Sequence, residues 1–283
     1  MPQEPTTPQE SKVPQGAAGP KQPVRLESAY FDVTVCRNCA APLETPFCGQ
    51  CGQKRARRLG WRDLRQETWL HWRLFEISSV RTLRRLVTQP GYVAREYVMG
   101  MRKKHMHPLK LLALLVVVLI LILARNSFFE HFDYSTRVDE EVDRMSTLVQ
   151  AYANWSFTTG IGAIFIASWS VYRRRLGYNS IEHLVLAVYC QILILAAIIL
   201  GLLPTLIWND PEFIRTYKSF SGYLLYGVKL VIVAVAFRQF FLVDLPREWP
   251  RLAASLVIYL AASWVLLRLY AYMVLMLVRM QLD

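Results

Sequence analysis

The chain has 283 residues, of which 54% are hydrophobic, and a formal net charge of +12 at pH 7. An average globular domain is only about 45–50% apolar. The combination of this apolar content with a large positive charge is therefore unusual for a soluble protein. The 13 glycines and 5 cysteines are too few for a collagen-like chain or a disulfide scaffold. The apolar excess also excludes a wholly disordered chain. A membrane protein with a basic segment remains.

The positive charge lies ahead of the first long apolar run. Residues 52–110 contain 15 Lys or Arg and 4 Asp or Glu, which gives this segment a net charge of +11. The apolar runs beyond it contain few charges. The chain therefore divides into a basic part and an apolar part.

The first 23 residues are rich in polar side chains and contain prolines at 2, 5, 8, 14, 20 and 23. Such a segment buries too little apolar surface to offset its conformational entropy. We predict a flexible tail over residues 1–33. The tail lacks the basic and apolar regions of a secretory signal, so we expect a later segment to direct membrane insertion.

Five apolar runs are long enough to be transmembrane helices, since about 20 helical residues cross the apolar core of a bilayer. We predict spans at 108–124, 152–172, 184–207, 223–243 and 252–277, and a transmembrane domain over residues 108–283. Helices suit a bilayer because they satisfy their backbone hydrogen bonds internally. The alternative, buried helices of a large soluble core, rarely produces several such runs in one chain.

The placement of Lys and Arg predicts the orientation, because positively charged loops remain cytoplasmic. With the N-terminus inside, the inner segments hold the basic residues of 52–110, the arginines at 173–175, and those at 238, 247 and 251. The acidic segment 133–143 then falls outside. We predict a cytoplasmic N-terminus and a periplasmic C-terminus, and Arg268 within the last span fits this arrangement least well.

Residues 55–107 are predicted to form a basic amphipathic connector beside the membrane. Between 80 and 87 apolar residues recur at helical spacing with arginines between them. Such a helix suits the inner leaflet, where anionic lipids attract each Lys or Arg by about 1 kcal/mol. The alternative is that these charges only enforce the topology. The candidates for contact with lipid headgroups are Arg81, Arg84, Arg85, Arg102, Lys103 and Lys104.

Four cysteines form a C-x2-C-x8-C-x2-C pattern. Two tight turns that each contain a Cys pair direct four thiolates inward, as a closed tetrahedral Zn²⁺ site requires. Disulfides are the alternative, but thiols remain reduced in the cytoplasm. Four thiolates leave no open position for water, so the site is structural rather than catalytic. The predicted Zn²⁺ ligands are Cys36, Cys39, Cys48 and Cys51, within a zinc ribbon at 34–54, whereas Cys190 is a packing residue.

These features predict an all-α polytopic membrane protein with about five transmembrane helices and a small N-terminal cytoplasmic zinc ribbon. The order CRNC, FCGQCGQK, QPGYVAREYVMGMRKKHMHPL and YNSIEHLV also resembles a bacterial family of zinc-ribbon multipass membrane proteins catalogued only as a domain of unknown function. The likeness covers roughly residues 36–245. Ala40 departs from it, since such ribbons usually have Gly there, and Met101 stands where a basic residue is expected. The resemblance implies a shared architecture and supplies no activity.

No pattern of catalytic residues is recognisable. The sequence has no Gly-rich phosphate loop, no G-x-S-x-G elbow and no H-E-x-x-H pair. Glu182 and His183 are adjacent, and adjacent helical side chains diverge by about 100°. We expect Glu182 to pair with one of the arginines at 173–175 and His183 to pack at an interface, and we predict that the protein is not an enzyme.

Transport is the alternative function, because ionisable residues within spans often mark a substrate pathway. The candidates are Lys229 and Arg268, both cationic, which would suit an anion or a lipid. Five spans do not divide into equal repeats, as many coupled transporters do. Nucleic-acid binding is not expected, because the bilayer already explains the basic residues. We predict an inner-membrane interaction or scaffolding protein with anionic lipids and an unidentified protein as its partners.

Overall fold

The computed structural model describes residues 21–61, 77–125, 157–208 and 210–282. The regular secondary structure of the described residues is helical, as predicted, and two isolated antiparallel bridges lie in the cysteine segment, which is otherwise irregular. Short 3-10 helices lie at Ser28–Phe31 and Arg102–Lys104. The α-helices are α1 (Ile77–Thr88), α2 (Pro90–Val98), α3 (Pro108–Arg125), α4 (Phe157–Tyr172), α5 (Ser180–Ile207), α6 (Pro211–Phe240) and α7 (Leu245–Leu282).

Four helical segments are long and apolar enough to cross a membrane, which indicates a membrane-embedded protein. The apolar part of α4, Thr158–Tyr172, is shorter than these four, and residues 152–156 of the predicted second span lie outside the described residues. The four candidate spans are Arg102–Leu123, Ser180–Ile207, Phe220–Phe240 and Leu245–Leu277.

Local capping makes two of the helices longer than the predicted spans. α5 begins at Ser180 rather than at 184, because Asn179 caps it and Glu182 completes a capping box with the Asn179 backbone. α6 begins at Pro211 rather than at 223, because Asp210 accepts a hydrogen bond from the Phe213 N–H at 2.9 Å. Both caps satisfy backbone donors that the first turn of a helix leaves unpaired.

The core of the bundle surrounds α5. This helix packs against α2, α3, α4 and α6, and its residues from Val185 to Leu195 are almost all buried. The outer faces of α6 and α7 instead expose large apolar side chains, among them Tyr223, Val231 and Trp264. Such faces are what lipid-exposed helices present.

Part of the predicted flexible tail belongs to the folded protein. Leu26 and Phe31 are buried in the main core, and the Leu26 N–H donates to the Leu176 carbonyl at 2.9 Å. Leu26 and Phe31, inside the segment predicted as a tail, thus pack against the bundle. The composition of this segment shows that it has little apolar surface. Two apolar side chains are nevertheless enough to attach it to the bundle, because the segment packs beside the loop after α4.

Three polar segments meet at one end of the bundle. Arg175, in the loop between α4 and α5, donates to the carbonyls of Phe241 (2.6 Å) and Leu242 (2.9 Å) after α6, and it forms an ion pair with Glu248. α2, which precedes α3, packs on α6, where Gly91 lies against the backbone of Ala236 and Phe240. The start of α3 and the two loops therefore share one side of the membrane domain.

Candidate metal centre and its contacts with the membrane domain

The two cysteine turns have the same backbone geometry. In the first, the Cys36 N–H donates to the Ala41 carbonyl at 2.7 Å and the Ala40 N–H donates to the Cys36 carbonyl at 2.8 Å. In the second, the Cys48 N–H donates to the Gln53 carbonyl at 2.9 Å and the Gly52 N–H donates to the Cys48 carbonyl at 2.8 Å. Each turn thus holds its two thiols on the inside of a tight loop.

Both turns place the residue after the second cysteine in the left-handed region. The φ angle is 61° at Ala40 and 65° at Gly52. Glycine adopts this conformation without a steric cost, whereas an alanine does so at about 1–2 kcal/mol. The first turn therefore keeps its geometry although Ala40 replaces the usual glycine.

The four thiols form one cluster of the size that a metal ion requires. All four Sγ atoms lie within 4.8 Å of one another, with 3.6 Å between Cys36 and Cys51 and 3.5 Å between Cys39 and Cys48. Tetrahedral thiolates at about 2.3 Å from a Zn²⁺ ion would be about 3.8 Å apart, whereas a disulfide requires about 2.05 Å. The cluster therefore fits a metal ion.

Backbone N–H groups at the turns favour the thiolate form. The Cys51 N–H hydrogen-bonds to Cys48 and lowers the pKa of its thiol to about 6. Burial raises the pKa of the Cys36 thiol despite backbone hydrogen bonds from Cys39 and Asn38. The Ala41 N–H acts to lower the pKa of Cys39, but burial and hydrogen bonds to the neighbouring thiols outweigh it and raise this pKa to about 12. Thiolates are the form that binds metals, so these donors suit a metal site.

The segment that follows the second turn docks on the loop ahead of α3. The Gln53 side chain donates to the Gly100 carbonyl at 2.7 Å and accepts from the Lys103 N–H at 3.0 Å. The Lys103 ammonium donates to the carbonyl of Cys51, one of the four clustered cysteines. A Cβ on Gly100, whose φ is +102°, would lie 2.8 Å from the Ala56 Cβ. Gly100 therefore allows the ribbon to approach this loop closely.

A second set of contacts joins the same segment to the start of α5. Arg58 Nε lies 3.3 Å from Glu182 Oε1, and Arg58 Nη2 donates to the Gly177 carbonyl at 2.5 Å. The Asn179 side chain donates to the Leu59 carbonyl at 3.0 Å. Glu182 is fully buried, so this ion pair lies at the interface between the ribbon and the bundle.

The sequence predicted that Glu182 pairs with one of the arginines at 173–175, but the structure shows a different partner. Its cationic partner is Arg58, 124 residues away in sequence, while Arg175 pairs with Glu248. The prediction considered only cations close in sequence, whereas Arg58 follows the ribbon, much earlier in the chain.

His183 is fully buried among aromatic rings. Its Nδ1 lies 3.1 Å from the Ser168 Oγ, and its ring lies 5.3 Å from those of Trp169 and Phe241. Because the Ser168 hydroxyl donates to the Phe165 carbonyl, Nδ1 is the donor to Ser168. The Glu182 and His183 side chains thus have different surroundings, and His183 packs within the bundle.

A buried carboxylate that the sequence analysis did not single out lies beside the connector. Glu96 on α2 is 1% exposed, and Arg85 on α1 contacts it in a bidentate manner at 2.7 and 2.9 Å. Two further side chains contact Glu96 Oε2. His105 Nε2 lies 2.6 Å from this oxygen, and Lys104 Nζ lies 3.1 Å from it. Burial acts to raise the pKa of Glu96, but these hydrogen bonds outweigh it and lower the pKa to about 2.

Arg95 was also not predicted as a structural residue. It is fully buried, and its guanidinium donates to the Tyr178 hydroxyl, to the Phe240 carbonyl at 3.3 Å and to the Gln22 carbonyl at 2.8 Å. Burial raises the pKa of Tyr178. Arginine in a basic segment suggests a surface position, so only its tertiary contacts reveal this role.

Most of the residues proposed for lipid headgroups contact protein groups in the structure. Arg85 and Lys104 bind Glu96, the Lys103 ammonium donates to Cys51, and Arg102 donates to the Arg57 carbonyl at 2.5 Å. The Arg84 side chain is exposed, and the Arg81 side chain lies outside the described part. On the apolar face of α1, Leu86 is fully buried against the protein. A role of these six residues toward lipid stays a prediction.

Lys229 and Arg268 are not brought together by any contact between described residues. Lys229 Nζ lies 5.2 Å from the centre of the Tyr226 ring, and Arg268 lies 5.4 Å from that of Trp264 on its own helix. Arg268 is exposed on the outer surface of α7 and Lys229 is half-buried. Each cation therefore lies over an aromatic ring one helical turn away.

A family model described as a protein of unknown function, DUF3667, matches residues 80–120. No curated protein and no solved structure matches the chain. The matched segment contains Pro90-Gly91 and Gly100, two elements of the resemblance noted from the sequence, but neither the cysteines nor Glu182-His183. In the fold it covers most of α1, all of α2, the loop that receives the ribbon and the greater part of α3. The chain is thus similar to this family over the segment that connects the metal centre to the bundle.

Proposed function

We propose that the protein is an interaction or scaffolding module of a bacterial inner membrane, in which a structural zinc ribbon forms the recognition domain. The observation that supports this most directly is the docking of the ribbon. Gln53 and the adjoining Arg58 attach it to two sites of the membrane domain, while the side chains of residues 44–47 are exposed. A rigid domain held in this way can present a fixed surface to a partner, and the proposal assigns no catalytic residue.

Zn²⁺ is the metal that best suits this site. The donor set is four thiols with the spacing of two C-x2-C turns, which is the usual donor set of structural zinc. The cluster buries little apolar surface of its own, with Ala41 and Leu43 as its apolar members. Binding of the metal would therefore supply the folding free energy that so small a core lacks.

We further propose five crossings with the N-terminus in the cytoplasm and the C-terminus in the periplasm. The grouping of the ribbon, the loop after α4 and the loop after α6 at one end of the bundle supports this arrangement. The adjoining residues 52–110, 173–175 and 238–251 contain 21 of the 33 Lys and Arg, and such segments remain cytoplasmic. Since α3 starts and α4 ends at that side, α4 would be the return crossing.

Affinity purification from mild detergent tests the interaction role. The full chain is compared with a Cys36→Ser, Cys39→Ser double variant, and the metal content of both is measured. We expect about one zinc per chain in the wild type, loss of zinc in the variant and loss of a specific co-purifying protein. Cys190→Ser, which alters a thiol outside the cluster, serves as the control that keeps both.

Two results would contradict the proposal. An absence of zinc from the wild-type protein would remove the structural role of the ribbon. An unchanged set of partners after loss of the metal, together with a flux of anion or lipid that Lys229→Ala abolishes, would favour transport instead.

A further inference from the structure

A basic pocket lies beside the second cysteine turn. Its volume is about 280 Å³, and its lining lies within residues 44–57, in the ribbon and the first residues after it. Among them are three cationic side chains, all exposed, and one carboxylate. The lining residues are Glu44, Thr45, Pro46, Lys54, Arg55 and Arg57.

The cations of this pocket are basic residues whose side chains do not take part in the docking contacts. Arg58 forms an ion pair with Glu182. Gln53, Ala56 and Leu59 are buried and face the membrane domain or the core. Arg55 donates to the Leu43 carbonyl at 3.3 Å. Lys54 and Arg57 form no side-chain hydrogen bond or ion pair with the described residues. Two cations are therefore available to an external anion.

An exposed aromatic ring adjoins these cations. Phe47 and Lys54 face each other in an antiparallel bridge, which places their side chains on the same face of the turn. Phe47 is 59% exposed, which is unusual for so large an apolar side chain in a small domain. An occupant that suits both groups has negative charges next to an apolar side chain.

We propose that this pocket binds an acidic segment of a partner protein, with carboxylates at Lys54 and Arg57 and an apolar side chain on Phe47. This inference rests on the proposed interaction function and names the chemistry of the partner. A segment of protein is favoured over the bilayer surface for two reasons. The residues that dock on the bundle, Gln53 and Arg58, are different from the exposed pocket cations Lys54 and Arg57, and Glu44 in the lining would repel a uniformly anionic surface.

Fluorescence anisotropy with the full chain in nanodiscs of phosphatidylcholine tests the pocket. The probe is a short labelled peptide of alternating aspartate and phenylalanine, and the same peptide with asparagine for aspartate is the reference. We expect the aspartate peptide to bind more tightly, and Lys54→Glu with Arg57→Glu to weaken its binding about tenfold or more. Glu44→Gln should tighten binding, because it removes a like charge. Arg174→Glu, a change at an exposed arginine outside the pocket, should leave binding unchanged, and zinc analysis verifies that every variant is folded.

The proposal is overturned if the two peptides bind equally, or if the double charge reversal leaves the affinity unchanged. It is also overturned if vesicles containing phosphatidylglycerol bind through Lys54 and Arg57 while the peptide does not. Affinity purification of the double charge-reversal variant separates the two proposals. A partner that depends on the cysteines but not on Lys54 and Arg57 overturns the pocket and leaves the interaction function standing. Peptide binding in the pocket without any partner that depends on the ribbon supports the pocket and contradicts the interaction function.

Discussion

Ala40 and Gly52 occupy equivalent positions in the two cysteine turns, and both have a left-handed backbone. For Ala40 this conformation is unfavourable. We expect Ala40→Gly to stabilise the ribbon by about 0.5–1 kcal/mol, since the steric relief exceeds the entropy that glycine costs. Competition with a chromophoric zinc chelator measures the effect as slower metal release.

The neighbouring Ala41 provides a matched control. It is buried in the small core of the ribbon and is not among the residues with a positive φ. Ala41→Gly should therefore accelerate metal release. A slower release in both variants would show that flexibility, rather than the φ angle at Ala40, is responsible.

Glu96 connects α1, α2 and the loop ahead of α3 through its contacts with Arg85, Lys104 and His105. Its pKa is about 2 in the folded protein, against an ordinary 4.5. A lowered pKa contributes stability that is complete above the unfolded value and is lost as the pH falls toward the folded value. We expect the melting temperature in detergent to fall between pH 4.5 and about 2 through this residue, with up to about 3 kcal/mol at stake.

Glu96→Gln tests this assignment. The variant should be less stable at neutral pH, because Arg85 and Lys104 lose their carboxylate, and its melting temperature should fall less steeply in acid. Glu212→Gln, at an exposed glutamate of α6, should retain the acid sensitivity of the wild type. An equal slope in the wild type and in Glu96→Gln would assign the acid sensitivity to other groups.

At the scale of the elements, the packing of α2 on α6 depends on one glycine. A Cβ on Gly91 would lie 2.2 Å from the Ala236 carbonyl oxygen and 2.6 Å from the Phe240 nitrogen. Because these are backbone atoms, the helices would have to move apart. We expect Gly91→Ala to destabilise the bundle by about 1–3 kcal/mol, measured as a lower melting temperature in detergent.

Gly227 on α6 is the control, because no atom lies within 4 Å of a Cβ added there. Gly227→Ala should be neutral or slightly stabilising, since alanine is the better helix former. If both substitutions lower the melting temperature equally, close packing at Gly91 is not the cause.

The whole molecule is connected by the docking of the ribbon on the loops of the bundle. Removal of the metal should unfold the turns and release Gln53 and Arg58 from their partners. We expect faster hydrogen exchange at residues 100–104 and 177–182 after chelation, or in the Cys36→Ser, Cys39→Ser variant, as measured by mass spectrometry.

Gln53→Ala separates the metal from the docking. The side chain of Gln53 binds Gly100 and Lys103, whereas only its backbone carbonyl accepts from Cys48. The variant should retain zinc and still exchange faster at 100–104. Exchange as slow as in the wild type would mean that Gln53 contributes nothing to the attachment of the ribbon.

Local sequence patterns determined several features of this protein. The spacing of the cysteines predicted which residues cluster, because each C-x2-C turn closes within six residues. The apolar runs predicted helices of membrane-spanning length, because a helix forms its hydrogen bonds within its own segment. The five predicted crossings exceed the four candidate spans of the described residues, because the apolar part of α4 is shorter than the other four.

Only the tertiary structure decided which distant groups meet. Arg58 pairs with Glu182, 124 residues away in sequence, and the Gln53 side chain donates to the Gly100 carbonyl, 47 residues away. The Leu26 N–H donates to the Leu176 carbonyl in the loop after α4. Periodicity reports the face on which a side chain lies but not the element that will cover it. The ends of the helices, the buried Glu96 and the free side of the ribbon follow from such pairings, because burial and hydrogen bonding depend on groups that only the folded chain brings together.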